Sequence, residues 1–120
     1  MTQSDGDLKR RTKQFALLII RLCRGLPSTD EARILGRQLL RCATSVGANY
    51  RAACRARSRA EFIAKLGIVL EESDESVFWL ELLVEAGVGS REKVQSLVKE
   101  ADELTAIFVA SVRTAKGIAS

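Results

Sequence analysis

The sequence predicts an all-α fold, an antiparallel up-down-up-down four-helix bundle that takes residues 1–120 as one domain. Three observations carry this. Pro27 is the only proline, and the eight glycines leave long stretches free of helix breakers. Apolar residues recur at i, i+3 and i+4 through four segments, the spacing of a helix face rather than of a strand. Cap and stop residues separate the segments by short connections, which set successive helices antiparallel. A chain of 120 residues fills a single core. With few aromatics, that core is built from Leu, Ile, Val and Ala.

The first helix is expected from about Asp7 to Arg24, with Phe15, Leu18, Ile19 and Leu22 as its core stripe. Lys9, Arg10, Arg11 and Lys13 crowd its start, where they oppose the positive end of the helix dipole. This basic stretch is either a fraying arm or an arm ordered by an anion. Gly25-Leu26-Pro27 stops the helix. Ser28-Thr29-Asp30-Glu31 reads as a capping box for a second helix running to about Arg55. Ser58-Arg59-Ala60-Glu61 reads as another. The third helix follows to Gly87 along Phe62, Leu66, Val69, Leu70, Ser73, Val77, Leu80 and Val84. Ser90 caps the fourth, whose stripe runs from Val94 through Phe108 to Ala115 and ends near Lys116. Loose ends are expected at about 1–8 and 117–120.

The second helix dominates the chemistry. At about 100° per residue, Arg33, Arg37, Arg41, Arg51 and Arg55 fall within a sector of roughly 80°. Leu35, Leu39, Ala43, Val46, Tyr50 and Ala53 lie opposite. Burial of the apolar side turns the guanidinium row outward. Gly36, Leu40, Gly47 and Cys54 form a third sector, where small residues admit a close helix and hint at a contact beyond the monomer core. The third helix carries a second apolar sector, with Ile68, Trp79, Leu82 and Leu83 among Glu72 and Glu75. Such a helix is expected to touch more than its own bundle, with Trp79 as interface anchor or core residue.

Net charge is +4, but it is unevenly placed. Residues 1–60 hold thirteen Lys/Arg against four Asp/Glu, and residues 61–120 hold six against eleven. The halves therefore complement each other, or a basic face meets a polyanion. Histidine, the commonest general base, is absent, and no nucleophile elbow, phosphate-binding loop or dinucleotide fingerprint appears. A non-enzymatic role without cofactors is expected. Glu71, Asp74, Glu81 and Glu85 share a sector, but a di-iron bundle needs Glu-x-x-His. Cys23, Cys42 and Cys54 form neither a disulfide framework nor a zinc pattern and read as small apolar residues. Asn49 is expected to hydrogen-bond within the bundle. No apolar run reaches the ~20 residues of a membrane span, and the polar N-terminus lacks a signal-peptide core, so a cytoplasmic location is expected.

Ser45-Val46-Gly47-Ala48-Asn49, followed by Arg57-Ser58-x-x-Glu61-Phe62-Ile63-x-x-Leu66-x-Ile68, resembles the four-helix-bundle proteins named after open reading frames in 23S ribosomal RNA intervening sequences. The resemblance covers roughly residues 10–116. Ala52-Ala53 stands where many members have Glu-Gly, and Glu71-Glu72 where many have Gly-Ser. The first change straightens the end of the second helix, and the second adds carboxylates to the third. The resemblance implies a cytoplasmic bacterial bundle assembling into a homo-oligomeric ring, typically a pentamer. It also implies a distant likeness to the accessory proteins of diversity-generating retroelements, in which a basic barrel binds nucleic acid. The broader family has no agreed activity.

Two functions follow as expectations. The first is a self-assembling scaffold or adaptor, joined through Gly36, Leu40, Gly47, Glu72, Glu75, Trp79 and Leu82. In that case the arginines should be neutralised by Glu72, Glu75 or Glu81 of a partner chain, or simply be solvated. The alternative is an oligomer binding RNA or DNA backbone through Arg33, Arg37, Arg41, Arg51 and Arg55, which should then line a continuous exposed surface. Without aromatics on that face, sequence-specific single-strand recognition is not expected.

Overall fold

The computed structural model describes residues 3–118, with side chains from residue 6 onward. Four helices follow in order: α1 (Gln3–Arg24), α2 (Asp30–Cys54), α3 (Arg59–Ala86) and α4 (Arg91–Ala115). They form the up-down-up-down bundle, measuring 44 × 24 × 22 Å. Each helix packs on its chain neighbours, and α1 and α4 close the square. The register is antiparallel throughout. Cys23 and Thr12 of α1 face Gly36 and Gly47 of α2, Arg41 meets Glu75, and Ser73 meets Thr105.

The helix ends follow local chemistry. Thr29, rather than Ser28, caps α2, its hydroxyl accepting the Ala32 N–H. Ser58 caps α3 by accepting from the Glu61 N–H at 3.0 Å. The Glu61 carboxylate reaches back past the cap to the Arg57 N–H. Gly87, at φ 68°, ends α3 with the Val88 N–H on the Leu83 carbonyl, a left-handed stop that favours glycine. α1 begins at Gln3, ahead of the expected Asp7. Residues 1–2 and 119–120, part of the expected loose ends, lie outside the described residues.

The core is aliphatic with a few rings. Phe15, Ile19, Leu39, Val46, Leu66, Val69, Leu80, Leu83, Leu104 and Phe108 are fully buried. Tyr50 leans on Phe108 at 5.7 Å between ring centres. Leu83, placed by periodicity in the second sector of α3, belongs to this core. Gly36 and Gly47 do admit a close approach, but from the same chain: α1 at Gly47, and the end of α1 with Leu26 of the following connection at Gly36. A Cβ at Gly36 would lie 3.1 Å from Leu26 Cδ1, and one at Gly47 3.4 Å from the Thr12 carbonyl. Leu40 packs half-buried against the same core. Periodicity identifies a small-residue seam without naming the helix that fills it.

Buried hydroxyl groups are matched, whereas the shielded Trp79 Nε1–H has no partner among the described residues. Thr12 donates to the Leu8 carbonyl at 2.8 Å. Thr105 uses its one hydroxyl hydrogen on the Ala101 carbonyl, so Ser73 is the donor in their 2.7 Å contact. Asn49 donates to the Ser45 carbonyl and hydroxyl, within its own helix. Cys42 is buried, Cys23 and Cys54 are half-buried, and all three are free thiols. Burial pushes the Cys42 and Cys23 thiols up from their ordinary value.

Phe108→Ala is expected to cost about 3–5 kcal/mol, read as a lower urea midpoint. Gly47→Ala, which meets only ordinary contacts, should be neutral or stabilise by up to ~1 kcal/mol; Gly47→Leu should destabilise by forcing α1 off α2. The raised thiols set a pH window. Native thiols stay protonated where unfolded ones ionise, so this stability is complete below the ordinary thiol value of 9.0 and is lost as pH climbs above it. The slope approaches ~1.4 kcal/mol per pH unit for each such thiol. Urea midpoints at neutral and alkaline pH should diverge less in Cys42→Ala than in wild type.

Candidate nucleic-acid interface

All five arginines of the α2 row are exposed, as burial of the opposite face requires. They do not form one site. From Arg33 to Arg55 the row extends about 33 Å at 1.5 Å per residue, and its parts meet different surroundings.

At one end, Arg33 pairs with Asp30 on its own helix at 3.0 Å. Arg33 and Arg37 border a hollow of about 360 Å³ that also touches Cys23 and Gly36. In the middle, Arg41 is held by two carboxylates of α3, Glu75 at 2.6 Å and Glu72 at 3.4 Å. The hydrogen bond that Arg41 donates to Glu75 leads the effects that raise the Arg41 pKa above its ordinary value. The pairing expected across subunits is therefore made within one chain, because α3 lies beside α2 in antiparallel register.

At the other end the surroundings reverse. Arg51 and Arg55 face α1 across a groove of about 790 Å³, whose opposite wall carries Lys9, Arg10 and Lys13. A second hollow of about 500 Å³ shares Ala48, Arg51 and Arg55 with the first and extends past the end of α2 to Arg57 and Lys65. The floor is small: Gly6, Ala16, Thr44, Gly47 and Ala48. Only two acids line these hollows. Asp7 is bound to Arg10 at 2.6 Å, and Glu61 caps the Arg57 N–H. Lys9, Lys13, Arg51 and Arg55 have no carboxylate partner among the described residues.

Arg11, counted with the same basic stretch, turns the other way. It reaches α4 through paired bonds to Glu100 at 2.8 and 2.7 Å and a third to Glu103 at 2.8 Å. The Glu100 hydrogen bond leads the effects raising its pKa. One residue of helical phase separates this tether from Arg10 and two separate it from Lys13. Sequence reading named Lys9, Arg10 and Lys13 as a basic arm, but Arg57 and Lys65 were missed as members of the same surface; their signal is the antiparallel return of α3.

The second face lies on α3. Glu72 and Glu75 are held by Arg41, and Leu82 is half-buried. Trp79 packs half-buried against the core. Its Nε1–H is shielded and has no partner among the described residues. Phe78, which the sequence reading did not single out, stands edge-on to Trp79 at 5.0 Å and is 51% exposed among the acids of α3. Ile34 of α2, 61% exposed, sits at the height of Leu82 in the register that Arg41 and Glu75 define. Glu71, Asp74, Glu81 and Glu85 are exposed. Among the described residues, no three or more Cys, Asp or Glu side chains converge as metal ligands, and no helix is long and apolar enough to cross a membrane.

Comparison with known proteins agrees with the bundle. The family model described as "23S rRNA-intervening sequence protein" matches residues 5–110. A crystal structure of a protein of unknown function, described as from the S23 ribosomal protein family of Bacteroides thetaiotaomicron, superposes with a TM-score of 0.81 at 35% identity. The match covers 88% of this chain and 97% of that one. No curated protein matches the chain. With the family model spanning most of its length and a bundle of the same architecture, the chain belongs to the 23S rRNA-intervening sequence protein family.

Proposed function

We propose that this is a non-catalytic cytoplasmic protein that binds the phosphate backbone of nucleic acid in the groove between α1 and α2. One observation carries the reading: Lys9, Lys13, Arg51 and Arg55 gather around a single concavity without carboxylate partners among the described residues. Gathered cations repel one another, and a polyanion relieves that repulsion while releasing its condensed counterions. Arginine suits the forked geometry of phosphate oxygens. The groove's cations would engage RNA and DNA phosphates alike, so both are to be tried.

A second reading, self-association into a homo-oligomer (five members by the resemblance), is favoured by the exposed Phe78 beside Trp79. An exposed ring backed by a half-buried tryptophan within a charged rim has the composition of an interface core. The assembly surface is narrower than the sequence expectation, because Gly36 and Gly47 are covered from within the same chain and Glu72 and Glu75 are held by Arg41.

Fluorescence anisotropy with labelled RNA and DNA tests the first reading. Four phosphate contacts predict an affinity loss of about 150-fold between 50 and 200 mM salt on duplex. Lys13→Glu with Arg51→Glu should abolish binding, while Arg33→Glu, about 27 Å along α2 from Arg51, should weaken it far less. Equal loss at both ends of α2 would return the function to the whole arginine row. Sedimentation velocity tests the second reading: wild type should assemble, and Phe78→Glu should shift toward monomer with unchanged helical circular dichroism. Wild type that remains monomeric at high micromolar concentration overturns it.

A further inference from the structure

The groove has the chemistry to read phosphates, and the only planes it offers an unpaired base are the guanidinium groups that the phosphates themselves would engage. Its cations stand on both walls, Lys9 and Lys13 on α1 and Arg51 and Arg55 on α2. Its floor is glycine, alanine and threonine, and neither of its two joined hollows is lined by an aromatic ring, an asparagine or a glutamine. Of the rings next in sequence to groove residues, Phe15 and Tyr50 are only 1% and 3% exposed because they fill the core, and Phe62, beside Glu61, packs half-buried against it. Proteins that hold single strands stack successive bases on exposed aromatic or guanidinium planes and read the splayed edges with amide side chains. Here Phe15 and Tyr50 have been withdrawn into the bundle.

Resting on the backbone-binding reading above, we infer that the ligand class of this groove is a double-stranded nucleic acid, bound by its phosphates without regard to sequence. A duplex presents one charge per about 1.7 Å of axis, a single strand one per about 3.4 Å. The counterion release per contact differs accordingly. Counting only the four unpartnered cations of the α1–α2 hollow, the logarithmic salt slope is about −3.6 on duplex and about −2.8 on single strand. If the two forms bind equally at 1 M salt, those slopes separate their affinities by about tenfold at 50 mM. A duplex also keeps its bases paired and stacked, so it loses nothing to a groove that offers them no ring.

The experiment compares an RNA duplex, a DNA duplex and an unpaired pyrimidine strand of each, at equal phosphate concentration and over a salt series. The expected result is tighter binding of both duplexes, by about tenfold at 50 mM salt, converging as salt rises. Ala48→Tyr supplies the missing ring, since Ala48 is exposed and shared by both hollows. It should improve single-strand binding relative to duplex binding and so narrow the tenfold gap, with thermal melting confirming the fold. Single strands bound as tightly as duplexes by wild type would overturn the duplex inference and leave the backbone-binding reading standing. No binding of either form at 50 mM salt would overturn both.

Discussion

The closeness of α1 to α2 is the constraint on which the rest of the surface depends. At Gly47 the backbones meet with only enough room for a methyl group before the Thr12 carbonyl. Thr12 tolerates full burial at this seam because its hydroxyl bonds to Leu8, one turn back in its own helix. Lys9 and Lys13 flank Thr12, and Arg51 lies one turn beyond Gly47, so the crossing that seals the core also brings the cations to one groove. Their mutual repulsion amounts to tenths of a kcal/mol per exposed pair. Burial of side chains such as Phe15, Ile19 and Val46 contributes about 1.5–3 kcal/mol each. Packing wins, and the charge cluster is carried by the fold.

Most of the architecture is legible in one dimension because helices write their period into the chain. Breakers and caps at Gly25, Thr29, Ser58, Gly87 and Ser90 mark the ends, and the apolar stripes of α1, α2 and α4 match what is buried. α3 is harder. It is apolar on several sides, since it contacts both α2 and α4, and Leu83 was assigned to the wrong side for that reason. Phe78 escaped notice because a ring among acids breaks no periodic rule; only its exposure beside Trp79 makes it distinctive.

The site is less legible than the fold for a definite reason. Periodicity fixes a residue's azimuth but not which neighbouring helix its azimuth and height meet. Arg41 and Arg51 share a face, yet α3 brings two carboxylates to the first and α1 brings lysines to the second. The same limit turned Gly36 and Gly47 into apparent partner contacts. Charge counts did anticipate the outcome at coarse scale. The strongly basic first half of the chain builds the α1–α2 face, and the acidic second half builds the exposed row Glu71, Asp74, Glu81 and Glu85. A polyanion approaching this molecule is drawn to one side and repelled from another, which orients the encounter before contact.

The two proposed roles also bear on each other through magnitude. Taking a dissociation constant of about 1 M at 1 M salt, four counterion-releasing contacts alone correspond to one on the order of 20 µM at 50 mM salt and a few millimolar at 200 mM. A lone protomer would therefore hold nucleic acid only weakly at physiological ionic strength. Repeating the groove around an oligomer changes this without any new contact, because a second groove on an already bound strand acts at an effective concentration near millimolar and can raise overall avidity by 10²–10⁴-fold. The bundle lends itself to such repetition, since the Phe78–Trp79 face is on α3 and the groove between α1 and α2. Under these two readings, assembly is the step that turns a weak electrostatic groove into a binder able to work in salt, and a surface without base readout gains its affinity from number rather than from specificity.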